Sequence, residues 1–133
     1  MNTLYERLGG HDGIYAFIKP FYDDVRQHSA LGPIFINQIE NWPKHLLRIT
    51  EFWARQMGGP SKYDGGFAGA HLRLNIPPGL IAEWLQLFQF NCQRQLSEPE
   101  SSEMYALAER LGSNLQRILD GGNMVTIERR SSE

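Results

Sequence analysis

Apolar residues recur at three- and four-residue steps along most of this chain, and no run alternates strictly in the way a half-buried strand would. That periodicity restricts the fold to packed amphipathic helices, an all-α class. The stretch WPKHLLRITEFW, residues 42–53, is the sharpest case. Leu46, Ile49, Phe52 and Trp53 make one helical stripe, and His45 stands one turn before Ile49 at its head. An imidazole aimed at the protein's own interior raises a chemical question beside the structural one.

The breakers divide the chain into a few segments. A short helix over residues 3–8 stops at Gly9-Gly10. Asp12 is the expected N-cap of a helix over 13–28 that turns Ile14, Phe17, Ile18, Phe21 and Val25 inward. Pro20 lies inside it and is expected to bend or split it. LGPIF, residues 31–35, is a corner with about one helical turn. The next helix opens at Asn41-Trp42, carries Pro43 in its first turn, and ends at Gly58-Gly59-Pro60. Residues 60–69 are expected as loop. After Pro77-Pro78 the spacing of Leu80, Trp84, Leu87 and Phe88 predicts a helix over 79–96. A last helix over 100–119, with Met104, Leu107, Leu111, Leu115 and Ile118 inward, is expected to close at Gly121-Gly122. The domain is thus assigned to residues 1–120, with a flexible C-terminal tail over 121–133.

Composition narrows the function classes. The 133 residues suit one domain with a real core, and 41% apolar with 21% charged content is that of an ordinary globule. A net charge of −2, with the basic residues scattered, gives no electrostatic case for nucleic acid or an anionic membrane. No apolar run approaches the roughly 20 residues a bilayer span needs. The start, MNTLYERLGG, does not read as a signal peptide, and Cys92 is the only cysteine, so a reducing cytoplasm is expected.

Four residues stand out as carriers of chemistry: His45, His71 in the small-residue segment AGAHLRL, Tyr22 after Phe21, and Trp84 on the inner face of its helix. Taken singly, each has an ordinary reading. His45 suits a core-edge histidine bonded to a carbonyl, His71 a loop histidine open to water, and Tyr22 and Trp84 core aromatics. Cys92 reads as a small buried hydrophobe, and His11 and His28 as surface residues at helix ends. Taken together, two facing histidines without cysteines or a carboxylate pair make a poor zinc site. One strong histidine ligand with an open position opposite is what heme iron needs, because the porphyrin supplies the other four nitrogens. A slot lined by Phe35, Ile49, Phe52, Leu72, Leu85 and Phe88 would accept a porphyrin and would otherwise be a void. A cofactor-free helical interaction module is the competing class, and it leaves two inward imidazoles unexplained.

In order and spacing, LYERLGG, FYDDV, LGPIF, WPKHLLRITEFW, the GGP stop, KYDG, the histidine of AGAHLRL and EWLQLF resemble the truncated hemoglobins over nearly the whole chain. The resemblance implies a two-over-two helical sandwich around heme b. A distal histidine combined with the tryptophan of EWLQLF is most like the third group. It further implies His71 as the proximal iron ligand and Tyr22, His45 and Trp84 as distal-pocket residues. Ile49 and Phe52 would be distal wall, and Phe35 would stack on the heme. Arg48 falls on a position that commonly reaches a propionate; Ala70 gives no basic partner beside the proximal histidine, which leaves Arg48 or Tyr63 to serve. His45 would act as a gate or as a second iron ligand at rest.

The implied function is binding of O₂ and other small gaseous ligands, held too tightly for bulk delivery because Tyr22 and Trp84 both donate hydrogen bonds. Peroxide or nitric-oxide chemistry is the alternative use, as a peroxidase or nitric-oxide dioxygenase, with a reductase as partner.

Overall fold

The computed structural model describes residues 2–36, 39–63, 77 and 79–132. Its elements are α1 (Leu4–Leu8), α2 (Gly10–Gln27), α3 (Gly32–Ile36), α4 (Trp42–Gln56), α5 (Leu80–Gln95) and α6 (Glu100–Ser132), with no strand among the described residues. The helices form two packed pairs laid across each other. α2 lies on α4, α5 lies on α6, and α2 also crosses onto α5. This is the two-over-two arrangement that the resemblance implied, within the all-α class that the periodicity predicted.

Local signals explain most boundaries. Thr3 and Glu6 form a reciprocal capping box at the start of α1, satisfying two otherwise orphaned donors. Gly9 ends α1 in the left-handed region at φ 101°, which a glycine adopts without steric penalty, and the chain re-enters a helix at once. That immediate re-entry is why α2 begins at Gly10 and is not capped by Asp12, which sits in the first turn and complements the helix dipole there. Asn41 caps α4 by accepting from the Lys44 amide at 3.1 Å, with Pro43 in the first turn as expected.

Two further helix boundaries differ from expectation. Pro20 does not split α2. Its missing N–H deprives only the Ala16 carbonyl, and Ala16 is exposed, so water can serve it. Buried Phe17 and Ile18 on one side, and Phe21, Tyr22 and Val25 on the other, hold both halves to the same core. The last helix also continues past Gly121-Gly122 to Ser132. Two helix-interior glycines disfavour a helix by about 1 kcal/mol each, and no proline follows to enforce a stop.

The core is an aromatic stack between α2, α4 and α5. Phe17, Phe21 and Phe88 are completely enclosed with Ile14, Ile18, Val25 and Met104. Phe88 meets Phe21 edge-on at 5.0 Å and stacks on Trp53 at 5.3 Å with the rings tilted by 25°. Burying each such side chain contributes about 1.5–3 kcal/mol. At the outer edge, Arg7 reaches from α1 to Glu100 and Glu103 on α6, a surface fork of modest energetic value.

One close approach fixes how α1 joins α2. A methyl group at Gly13 would overlap the Leu8 carbonyl, which is backbone and cannot step aside. Gly13→Ala is therefore expected to lower stability by about 3 kcal/mol, at the upper end for overpacking. Urea unfolding checks this; an unchanged midpoint would contradict the tight junction.

Candidate functional site

Three helices deliver a polar group each to one edge of the aromatic core. Tyr22 follows Phe21 on α2, about 100° around the helix, so Phe21 fills the core while Tyr22 faces sideways. Its ring is buried and lies 6.4 Å from His45 of α4, nearly perpendicular to it. Phe35 of α3 closes another side of Tyr22 at 6.4 Å. Trp84 of α5 stacks on Phe88 one turn later at 5.1 Å and meets Phe21 edge-on at 5.5 Å. Burial pushes the Tyr22 phenol well above the ordinary tyrosine range, and hydrogen bonding with the Trp84 side chain offsets part of that rise. The phenol is therefore a neutral O–H throughout the physiological range.

Trp42 belongs to this cluster and was not singled out from sequence. It meets His45 edge-on at 5.5 Å and lies 6.3 Å from Tyr22. The Arg26 guanidinium sits over its ring at 4.5 Å, a cation–π contact on the outer side. Its place three residues before His45 on one helix face was the available signal.

The remaining expected residues fall in two tiers. Ile49, Tyr63, Trp84 and Leu85 pack on the core yet keep part of their surface open. Phe52 is buried, with Tyr63 edge-on at 5.1 Å. Phe88 is instead enclosed on every side by Phe17, Phe21, Trp53 and Trp84, so it supports the exposed tier from behind. Leu85 joins Ile81 and Leu115 beside Gly112, at the α5–α6 contact. Arg48 is exposed on α4. His71 and Leu72 lie outside the described residues.

The other polar residues have structural partners. Cys92 is buried and its thiol is pushed up to about 12 by desolvation, which makes it a poor nucleophile. His11 and His28 are half-buried and not plain surface groups. His11 Nδ1 is hydrogen-bonded to the Tyr5 hydroxyl at 2.6 Å, and its Nε2 reaches Glu51 at 3.1 Å. The Lys62 amide, and then His11, hold the Glu51 carboxyl below its usual range. His28 accepts the Ala30 and Leu31 amides through Nδ1 and faces Glu83 at 3.6 Å. No cluster of three metal-ligating side chains occurs among the described residues.

These residues fit a flat apolar macrocycle. The open tier offers apolar and aromatic surface over a closed aromatic floor, three hydrogen-bonding groups converge at one edge, and Arg48 supplies a surface cation. Residues 3–122 match the family described as bacterial-like globin. Group 3 truncated hemoglobin ctb of Campylobacter jejuni is 31% identical over 113 residues, which span 81% of this chain and 89% of that one. Group 1 truncated hemoglobin GlbN of Synechocystis is 32% identical over 84 residues, or 62% of this chain and 66% of that one. The crystal structure of group III truncated hemoglobin from Campylobacter jejuni superposes with a TM-score of 0.78 at 30% identity, covering 83% of this chain and 91% of that one.

The chain belongs to the bacterial-like globins. Within them it is a truncated hemoglobin most similar to the third group, and membership implies a heme protein that binds small gaseous ligands. No helix among the described residues is long and apolar enough to cross a membrane.

The raised Tyr22 phenol has a consequence for stability. The unfolded chain ionises tyrosine near pH 10 while the folded chain resists, so the unfolded state binds fewer protons above that pH. Stability from this residue is fully present below about pH 10 and is lost as pH rises toward the folded value. Urea midpoints measured between pH 8 and 11 should decline less for Tyr22→Phe than for the parent; parallel declines would mean that the phenol is solvated.

Proposed function

We propose that the chain binds O₂ and other diatomic ligands at a heme b whose iron is held by His71. The observation that carries this reading is the convergence of Tyr22, His45 and Trp84 from three helices on one edge of an apolar floor. Heme, when bound, supplies an iron position that passes charge to a diatomic ligand.

The chain's own residues do the rest. Ile49 and Phe52 exclude water, Phe35, Leu72, Leu85 and Phe88 supply apolar contact or back it, and Arg48 or Tyr63 meets a propionate. Trp84 Nε1–H, given to the Tyr22 oxygen here, and Tyr22 O–H would both turn to donate toward a ligand that has gained negative charge. Hydrogen bonds to charged groups contribute about 1.5–3 kcal/mol each, so two donors slow ligand loss by about two orders of magnitude. His45 is a gate or a second iron ligand at rest. Its imidazole both accepts and donates protons, and its place 6.4 Å from Tyr22 favours peroxide or nitric-oxide turnover as the second reading, served by a reductase. The globin unit occupies residues 1–120 and works in the cytoplasm.

Absorption spectra and stopped-flow kinetics test this. The purified protein should show a Soret band that His71→Ala abolishes, and colourless folded protein that ignores added hemin would end the proposal. Tyr22→Phe and Trp84→Phe should each speed O₂ dissociation about tenfold or more. Unchanged rates would remove these side chains from the ligand. Turnover of peroxide or nitric oxide that falls in Tyr22→Phe would favour the second reading.

A further inference from the structure

Pro20 stands two residues before Tyr22, where a weakened helix would let the phenol drift. The region is held from outside by α5. Gln95 donates one amide hydrogen to the Phe17 carbonyl at 3.1 Å, three residues before Pro20. Its other hydrogen goes to the Asn91 carbonyl oxygen at 2.9 Å. Asn91 is completely buried and donates to Asp24 at 3.1 Å, two residues beyond Tyr22, and to the Leu87 carbonyl at 3.0 Å. Arg94 completes the set, reaching Asn91 at 3.1 Å and Asp24 at 3.3 Å.

We infer that Asn91 and Gln95 are positioning residues that splint α2 on both sides of the proline and thereby hold Tyr22 against Trp84. Both hydrogens of each amide are used and the Asn91 oxygen accepts twice, so the donors favour one arrangement. It grips α2 at Phe17 and at Asp24, and Pro20 and Tyr22 lie between the two grips. The helix that supplies these amides also carries Trp84. The spacing between the two donors of the pocket is therefore set by polar bonds running between their own helices. A purely apolar seam would resist separation but would not fix the register of Tyr22 along α5. The part concerning ligand rests on the pocket reading above; the splint itself does not.

A double-mutant cycle between Gln95→Met and Pro20→Ala tests it. Gln95→Met removes the Gln95 hydrogen bond to the Phe17 carbonyl, which keeps its helical bond from Phe21 N–H, and should lower the folded-to-unfolded ratio several-fold. It should also shift the Trp84 indole N–H resonance, assigned by its absence in Trp84→Phe. Pro20→Ala restores the donor to the Ala16 carbonyl, so α2 holds its own line without the splint and in that background both effects should shrink several-fold. Folding of Gln95→Met only in the Pro20→Ala background supports the splint, and failure to fold in both backgrounds counts against it. Equal losses in both backgrounds, or lost stability with the Trp84 resonance unmoved, would overturn it. In the heme-loaded protein Gln95→Met should speed O₂ dissociation several-fold, but not in a Tyr22→Phe background. If Tyr22→Phe alone leaves that rate unchanged while the cycle holds, the pocket reading fails and the splint stands.

Discussion

The edge-on contact between Phe21 and Phe88 is the joint on which the site depends. It binds α2 to α5 at the centre of the core, and each ring has a polar neighbour on its own helix. Tyr22 follows Phe21 directly, and Trp84 precedes Phe88 by one turn and stacks on it. Packing the two phenylalanines therefore brings the phenol and the indole together. The core and the pocket are one construction, because helical geometry ties the direction of each polar side chain to that of the aromatic beside it.

Polar groups placed that deep need partners, since an unpaired buried hydroxyl or amide costs about 1–3 kcal/mol. Tyr22 is eased by Trp84, and Asn91 spends every donor and acceptor on α2 and on its own helix. An all-apolar interface between α2 and α5 would pack as well. The polar groups instead favour one register of the two helices, which a ligand site requires and stability alone does not.

Much of this was legible in the sequence. Every residue expected inward on α2 is buried, because a five-member apolar stripe at helical spacing leaves little choice of face. Asn41, Pro43 and the Gly58-Gly59-Pro60 stop set the bounds of α4 by local chemistry. Pro20 does not split α2, because its local penalty is outweighed by burial on both sides and by the amides of a helix about 75 residues away in sequence. Asp12 was displaced as a cap by the left-handed turn at Gly9, and Gly121-Gly122 did not stop α6. The partners of His11 come from α1 and α4, so no local pattern could reveal them. Trp42 was visible as an aromatic but not as a neighbour of His45 and Tyr22, since that needs α2 and α4 set against each other.

The central claim is that this helical frame encloses one flat iron macrocycle beside Tyr22, His45 and Trp84. Titrating the cofactor-free protein with hemin while following tryptophan emission tests it most directly. The account predicts quenching that saturates at one hemin per chain. Quenching that rises without saturation while the helical content stays intact would contradict it.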